Sequence, residues 1–223
     1  IDSWIRLTRV LTHEIMNAVT PITSLSDTLL GLTEAQVSKE EIRNGLQTIS
    51  STGKGLLSFV ESYRKFTRIP TPEPSLFYVK SFIERMVELA RHQHPDVRVT
   101  FHTDIAPSDL ILYADENLVS QVVINLLEKC HTSHRIRNKN TDKEGHINIR
   151  AYCNEAEAIL IEISNNGPAI PNDIAEHIFI PFFTTKEGGS GIGLSISRQI
   201  MRLSGGNLSL LPGKETTFIL KFN

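Results

Sequence analysis

A histidine followed at once by a carboxylate and, one helical turn later, by an amide can accept and release a transferable group, and His13, Glu14 and Asn17 form such a set. A neutral imidazole nitrogen is a good nucleophile near neutral pH, and a phosphoramidate formed on it is labile enough to pass its phosphoryl group to a carboxylate. Glu14 can accept or orient the imidazole proton. Asn17 stands four residues after His13 and so beside it on a helix. His13 lies two residues from both Leu11 and Ile15, about 200° around a helix from each, which points it away from their apolar stripe. A histidine on an ordinary solvated face has the same position, so these residues need support from elsewhere in the chain.

A second group suits an anion. Phe182-Phe183-Thr184-Thr185-Lys186 leads into Gly188-Gly189-Ser190-Gly191-Ile192-Gly193-Leu194, a glycine-rich turn running straight into an apolar helix. Glycines let backbone N–H groups approach a phosphate closely, and a helix expected to start at Gly191 adds the positive end of its dipole. A flexible surface loop has similar composition. Upstream, Asn125 interrupts the apolar run from Gln121 to Leu127, where an amide without a partner is costly. Asn165-Asn166-Gly167-Pro168-Ala169 leaves an apolar strand for a turn, as a ligand loop or a plain connector would.

The elements that must position these residues fall into two groups. Leu7, Leu11, Ile15, Ala18, Ile22, Leu25, Leu29 and Leu32 advance by threes and fours, the period of a long helix with one apolar stripe. After a polar break, Ile42, Leu46, Ile49, Gly53, Leu56, Val60 and Tyr63 make a heptad seam on a second long helix. An antiparallel hairpin of two such helices buries its seams poorly alone, so a dimeric four-helix bundle is expected over residues 1–67. Pro70, Pro72 and Pro74 alternate within a stiff connector, residues 68–75. Residues 76–223 read as a mixed α/β sandwich. Helices are expected at Val79 to His92, Glu116 to His134 and Gly191 to Ser204, and strands at Val97 to Thr103, Leu110 to Tyr113, His146 to Cys153, Ala158 to Ser164, Asn207 to Leu211 and Thr216 to Phe222. The whole is of the α+β class.

With 223 residues, 40% hydrophobic and 22% charged, the chain can bury ordinary cores in two domains. A net charge of -2 gives no polycationic face, which disfavours nucleic acid as a partner. No run approaches the length of a membrane-spanning helix, so no membrane contact is expected of this stretch, and a cytoplasmic location follows. Ile1 in place of Met suggests a fragment whose upstream part holds a sensor or an inner-membrane anchor. Cys130 and Cys153 lack metal-ligand spacing and read as packing residues of a reducing compartment. His131 and His134 have no third ligand nearby in sequence and are not read as a metal site.

The run Leu11-Thr12-His13-Glu14-Ile15-Met16-Asn17 resembles the phospho-acceptor box of two-component sensor histidine kinases, and Pro21, eight residues after His13, is similar to a nitrogen-sensor-like branch. The Asn125 helix, the Asn165 turn, Pro181-Phe182-Phe183 and the glycine-rich loop follow in the order of that family's ATP-binding domain, which is similar to those of gyrase, heat-shock chaperones and mismatch-repair ATPases. The resemblance spans about Leu7 to Phe222. It implies that His13 is the phospho-acceptor, Glu14 the general base of autophosphorylation, and Asn17 the amide that orients water when the kinase dephosphorylates its partner. It implies ATP and Mg2+ as cofactors, with Asn125 as metal ligand. Nucleotide contacts are implied for Asn125, Lys129, Asn165, Gly167, Ala169, Thr184, Thr185, Lys186, Gly189, Gly191, Gly193 and Leu194. The partners implied are a second copy of the chain and a response-regulator receiver domain, joined in an ATP-dependent phosphorelay.

Three residues depart from the family pattern. Asn165 stands where an Asp accepts from the adenine amino group, and a neutral acceptor there costs about 1 to 2 kcal/mol of affinity. Ala169 replaces a glycine of the same loop. Lys129 replaces a second Asn that helps to hold magnesium, and an ammonium cannot coordinate a metal. These changes beside an intact acceptor set open a second reading, a nucleotide-poor degenerate kinase that acts as a docking protein or phosphatase for a response regulator.

Overall fold

A stripe of apolar residues every third or fourth position forms a helix when that stripe has something to cover it. The computed structural model describes residues 2–31, 38–95, 99–138, 144–185, 189–211, 213 and 215–223. The chain divides into two units, Ile1–Arg68 and Ile69–Asn223.

The first unit holds α1 (Asp2–Gly31) and α2 (Lys39–Thr67), which lie against each other. Pro21 sits inside α1. Ser38 starts α2 with a reciprocal cap: its Oγ accepts from the Glu41 N–H at 3.2 Å, while its own N–H donates to Glu41 Oε2 at 2.8 Å. Gly45 lets the helices approach, because a Cβ there would stand 3.2 Å from Leu29 Cδ1. Leu11, Ile15, Ala18, Ile22, Leu25 and Leu29 form a half-buried stripe, whereas Ile42, Leu46 and Val60 of the α2 seam are exposed and no α2 residue is buried.

The second unit begins with β1 (Ser75–Tyr78), α3 (Val79–Gln93), β2 (Val99–Ala106), β3 (Ile111–Ala114) and α4 (Glu116–Asn138). It continues with β4 (Gly145–Cys153), β5 (Ile159–Asn165), the short α5 (Asn172–Ala175), α6 (Gly193–Leu203), β6 (Asn207–Leu211) and β7 (Thr216–Phe222). β1 and β3 form a small antiparallel sheet, and the main sheet runs β2-β4-β5-β7-β6, with β2 parallel to β4 and the other pairs antiparallel. Strand alternation sets the core. Ile147 and Ile149 of β4, Ile161 and Ile163 of β5, and Phe218 and Leu220 of β7 are buried, as are Phe82 of α3, Leu126 and Leu127 of α4, and Ile200 and Met201 of α6. This is the α+β fold of the sandwich expected from the sequence.

Three local features differ from the sequence reading. β1 begins at Ser75, inside the expected connector, and neither β1 nor α5 was anticipated. The last helix starts at Gly193 rather than Gly191, because Gly191 has a φ of +66°, outside the helical region. Cys153 is exposed, so only Cys130 is a packing residue.

Asp115 fixes the start of α4. Its buried carboxylate accepts from the Leu118 N–H at 3.0 Å and from the Glu73 N–H at 2.9 Å, tying the proline-rich segment to the helix. These backbone donors hold its pKa below the ordinary 3.8.

Candidate functional site

On α1, His13 projects to solvent with 70% of its side chain exposed, and the Glu14 side chain is 48% exposed. Asn17 Nδ2 lies 3.0 Å from His13 Nδ1, and Glu14 Oε1 lies 3.5 Å from the same nitrogen. The i, i+4 spacing along one helix face produces this grouping, while the half-buried stripe of Leu11 and Ile15 faces elsewhere. Both neighbours reach Nδ1, leaving Nε2 as the nitrogen that points away from them.

In the second unit a cavity of about 500 Å3 opens between α4, the β5 turn, α5 and the start of α6. Register delivers Asn165 to it. Ile161, Ile163 and Asn165 alternate inward along β5, opposite Leu220, Phe218 and Thr216 of β7. The Asn165 side chain, 1% exposed, is oriented at both ends: Oδ1 accepts from the Gly167 N–H at 2.9 Å, and Nδ2 donates to Cys130 Sγ at 3.2 Å and to the Thr216 carbonyl at 3.5 Å. With both amide hydrogens directed at these acceptors, what remains toward a ligand is the second lone pair of Oδ1. Burial pushes the Cys130 thiol up to about 12, so it stays protonated.

Helical spacing carries α4 along the cavity. Asn125, Lys129 and Ser133 follow at four-residue steps and all line it. Asn125 Nδ2 donates to Ser197 Oγ of α6 at 2.9 Å, and its Oδ1 sits where only a glycine can stand at position 193. Lys129 is half-buried and borders the cavity rather than facing open solvent. Burial holds its ammonium below the ordinary 10.5, against the opposing pull of Glu128 on the exposed rim. Gly191 closes another wall, since a Cβ there would lie 2.5 Å from the Phe182 carbonyl carbon.

Of the residues singled out from sequence, Asn125, Lys129, Asn165, Ala169, Thr184, Thr185, Gly189, Gly191, Gly193 and Leu194 line this one cavity. Gly167 does not line it and instead holds the Asn165 oxygen through its backbone. Lys186 lies outside the described residues. Phe183 of the Pro181-Phe182-Phe183 run lines the cavity too, as do Glu128, Thr132, Ile174 and Ile178, which no motif in the sequence marks. For Glu128 and Thr132 the helical spacing from Asn125 could have found them, whereas Ile174 arrives on the four-residue α5 and Ile178 in the turn after it, neither with a sequence period of its own. The apolar members make a slot suited to a flat ring, and the glycine turn and the α6 start offer backbone donors to an anion.

Residues 114–223 match the model of the histidine kinase-, DNA gyrase B- and HSP90-like ATPases. Over 96% of its length the chain is 29% identical to the nitrogen regulation protein NtrY of Azorhizobium caulinodans, covering 28% of that protein. It is 28% identical over 93% of its length to the signal transduction histidine-protein kinase AtoS of Escherichia coli, covering 33% of it. The chain thus spans about a third or less of these relatives. Among solved structures, the catalytic domain of histidine kinase ThkA shares 29% identity with a TM-score of 0.56, covering 67% of this chain and 95% of that one. A ThkA structure solved in complex with the response regulator protein TrrA matches 97% of this chain and 60% of that chain at 24% identity and a TM-score of 0.63.

Proposed function

We propose, from the match of residues 114–223 to the histidine kinase-, DNA gyrase B- and HSP90-like ATPases and from the likeness of the chain along its length to sensor histidine kinases, that it phosphorylates itself on His13 with ATP. In this reading His13 then passes the phosphoryl group to an aspartate of a response-regulator receiver domain and assists its later removal. The observation that carries it is the His13 ring, exposed, with Asn17 Nδ2 and Glu14 Oε1 both within reach of Nδ1. Nε2 attacks the γ-phosphorus, the bond to the β–γ bridging oxygen breaks, ADP departs, and the Nδ1 proton passes to the Glu14 carboxylate. Asn17 supplies an amide that can orient water against a phosphoaspartate. The adenine ring suits the slot floored by Asn165, whose Oδ1 offers one acceptor to the exocyclic amine, and the phosphates suit the glycine turn.

The half-buried α1 stripe and exposed α2 seam support a homodimer through residues 1–67, a four-helix bundle. No helix among the described residues is long and apolar enough to cross a membrane. A cytoplasmic location for this stretch belongs to the same proposal.

Magnesium meets a poor set of residues. Asn125 Oδ1, the rim carboxylate of Glu128 and the hydroxyls of Thr132 and Ser133 are the side-chain oxygens that α4 brings to the cavity, and Lys129 stands among these residues, one turn from Asn125. A small divalent cation that demands near-octahedral oxygen coordination does not fit against a half-buried positive charge. Asn125 Oδ1 is the amide oxygen of α4 that could approach such an ion. Lys129 is also the observation that favours the second reading, a docking protein or phosphatase that uses nucleotide poorly.

Incubation with γ-labelled ATP separates the two readings. The kinase gives an acid-labile, base-stable label that His13→Gln abolishes. A chain that takes no label yet speeds loss of the phosphoryl group from a receiver domain is the phosphatase.

A further inference from the structure

Lys129 is a charge in an unusual place. It follows Asn125 by one turn of α4, lines the same cavity as the glycine turn and the start of α6, and is half-buried. Burial depresses its pKa, so the folded chain meets a cost in keeping it charged. Among the described residues no carboxylate lies within ion-pair distance of it, and Glu128, whose charge reaches it, sits on the exposed rim. A half-buried ammonium without a close counter-ion, in a wall whose other groups are neutral apart from the exposed rim carboxylate of Glu128, is placed for an anion that arrives with the ligand.

We propose that Lys129 takes the counter-ion role of a divalent metal, so that this cavity binds an adenine nucleotide as the free polyphosphate anion. The proposal rests on reading the cavity as a nucleotide site. The ammonium contributes three donors and one positive charge to the phosphates in a partly desolvated wall. Asn125 is held by Ser197 and adds a neutral polar group beside it, and the α6 N-terminus adds backbone donors. A magnesium ion bound to the same phosphates would sit near the ammonium and be repelled, so metal adds little to affinity and competes with Lys129 for the same oxygens.

The test is calorimetric titration of the intact chain with ADP and with the β,γ-imido analogue of ATP, once in EDTA and once in excess Mg2+. Wild-type affinity is expected to agree within about threefold between the two conditions. Lys129→Asn is expected to lose about tenfold or more in EDTA and to recover most of it when Mg2+ is added, while Lys129→Arg stays metal-independent. Thermal melting of each variant without nucleotide shows whether it is folded, and Lys129→Gln serves as a second neutral variant if Lys129→Asn is not. Wild-type binding that appears only with Mg2+, or a folded Lys129→Asn that keeps its affinity in EDTA, overturns the role of Lys129 and leaves the nucleotide site standing. Wild type that binds neither nucleotide in either condition overturns the site and the proposal together.

Discussion

Asn17 Nδ2 and Glu14 Oε1 converge on one atom, His13 Nδ1, from 3.0 Å and 3.5 Å. A single nitrogen cannot serve both at once. Accepting from the Asn17 amide puts the ring proton on Nε2 and removes its lone pair from use, whereas donating to Glu14 leaves Nε2 free to attack. Asn17→Ala is therefore expected to preserve or raise self-phosphorylation while slowing dephosphorylation of the receiver domain. Glu14→Gln is expected to lower phosphorylation by about 10²-fold or more, the lower end for a lost general base. Label incorporation and receiver dephosphorylation, measured on the same preparations, check both, and an Asn17→Ala chain that loses its label would sink the competition.

The exposed seam of α2 is expected to be covered by a second chain. Leu46 is 55% exposed in the single chain despite lying in a heptad row with Ile49 and Leu56. Leu46→Asp should turn a sedimenting dimer into a monomer, because a charge without a partner is costly in that seam. An unchanged sedimentation coefficient would place the contact elsewhere.

Asn165→Asp restores a stronger acceptor but puts a carboxylate where the amide now donates to Cys130 Sγ and the Thr216 carbonyl. A lower melting temperature is expected at neutral pH, from about 1 to 3 kcal/mol of lost pairing and buried charge. Calorimetric melting with and without ADP separates this cost from any gain in affinity. A variant as stable as wild type would mean that the carboxylate is accommodated at no cost.

His131 lies buried on α4 with its ring 4.8 Å from that of His94, and neither ring nitrogen has a hydrogen-bond partner among the described residues. Burial, then the neighbouring His94 and His134, lower its pKa from 6.5 to about 4. The unfolded chain therefore takes up a proton that the folded chain refuses, and the stability this represents is present above pH 6.5 and lost as pH falls toward 4. His131→Leu should flatten that window in a pH series of urea melts and cost less than about 1 kcal/mol at pH 7.5, since an unpaired polar group is being replaced. An unaltered pH profile would assign the titration to another group.

Asp115 gives the opposite test at lower pH. Its folded pKa is depressed by backbone donors at Glu73 and Leu118, so its contribution is full above 3.8 and lost as pH falls through the lowered folded value. Asp115→Ala is expected to cost about 1 kcal/mol at pH 7, the usual worth of a helix cap, and progressively less toward pH 3. A deficit constant over that range would make the carboxylate's charge irrelevant.

Periodicity made the long helices and most strands legible, and the four-residue step from Asn125 to Lys129 already placed both on one face. What sequence could not show were pairings across the chain. Asn165 meets Cys130 and Thr216, 35 and 51 residues away, through strand register rather than local pattern. β1 and α5 are four residues each, too short for either period to emerge, and both follow a proline, Pro74 and Pro171, that reads as a break. Gly191 read as a helix start because the apolar run begins beside it, but its backbone serves the turn against Phe182.

That contact between Gly191 and Phe182 holds together two backbone points nine residues apart in sequence. Bringing two such points together carries an entropic cost that grows only slowly with the length between them, and here folding has already met it. A ligand that meets Thr184, Thr185 and Gly189 therefore finds two points of the surrounding backbone already held against each other. Gly191→Ala forces the two points apart, since its Cβ would meet the Phe182 carbonyl carbon at 2.5 Å. Such a chain should bind its ligand more weakly, because these two points of the cavity wall are no longer held together.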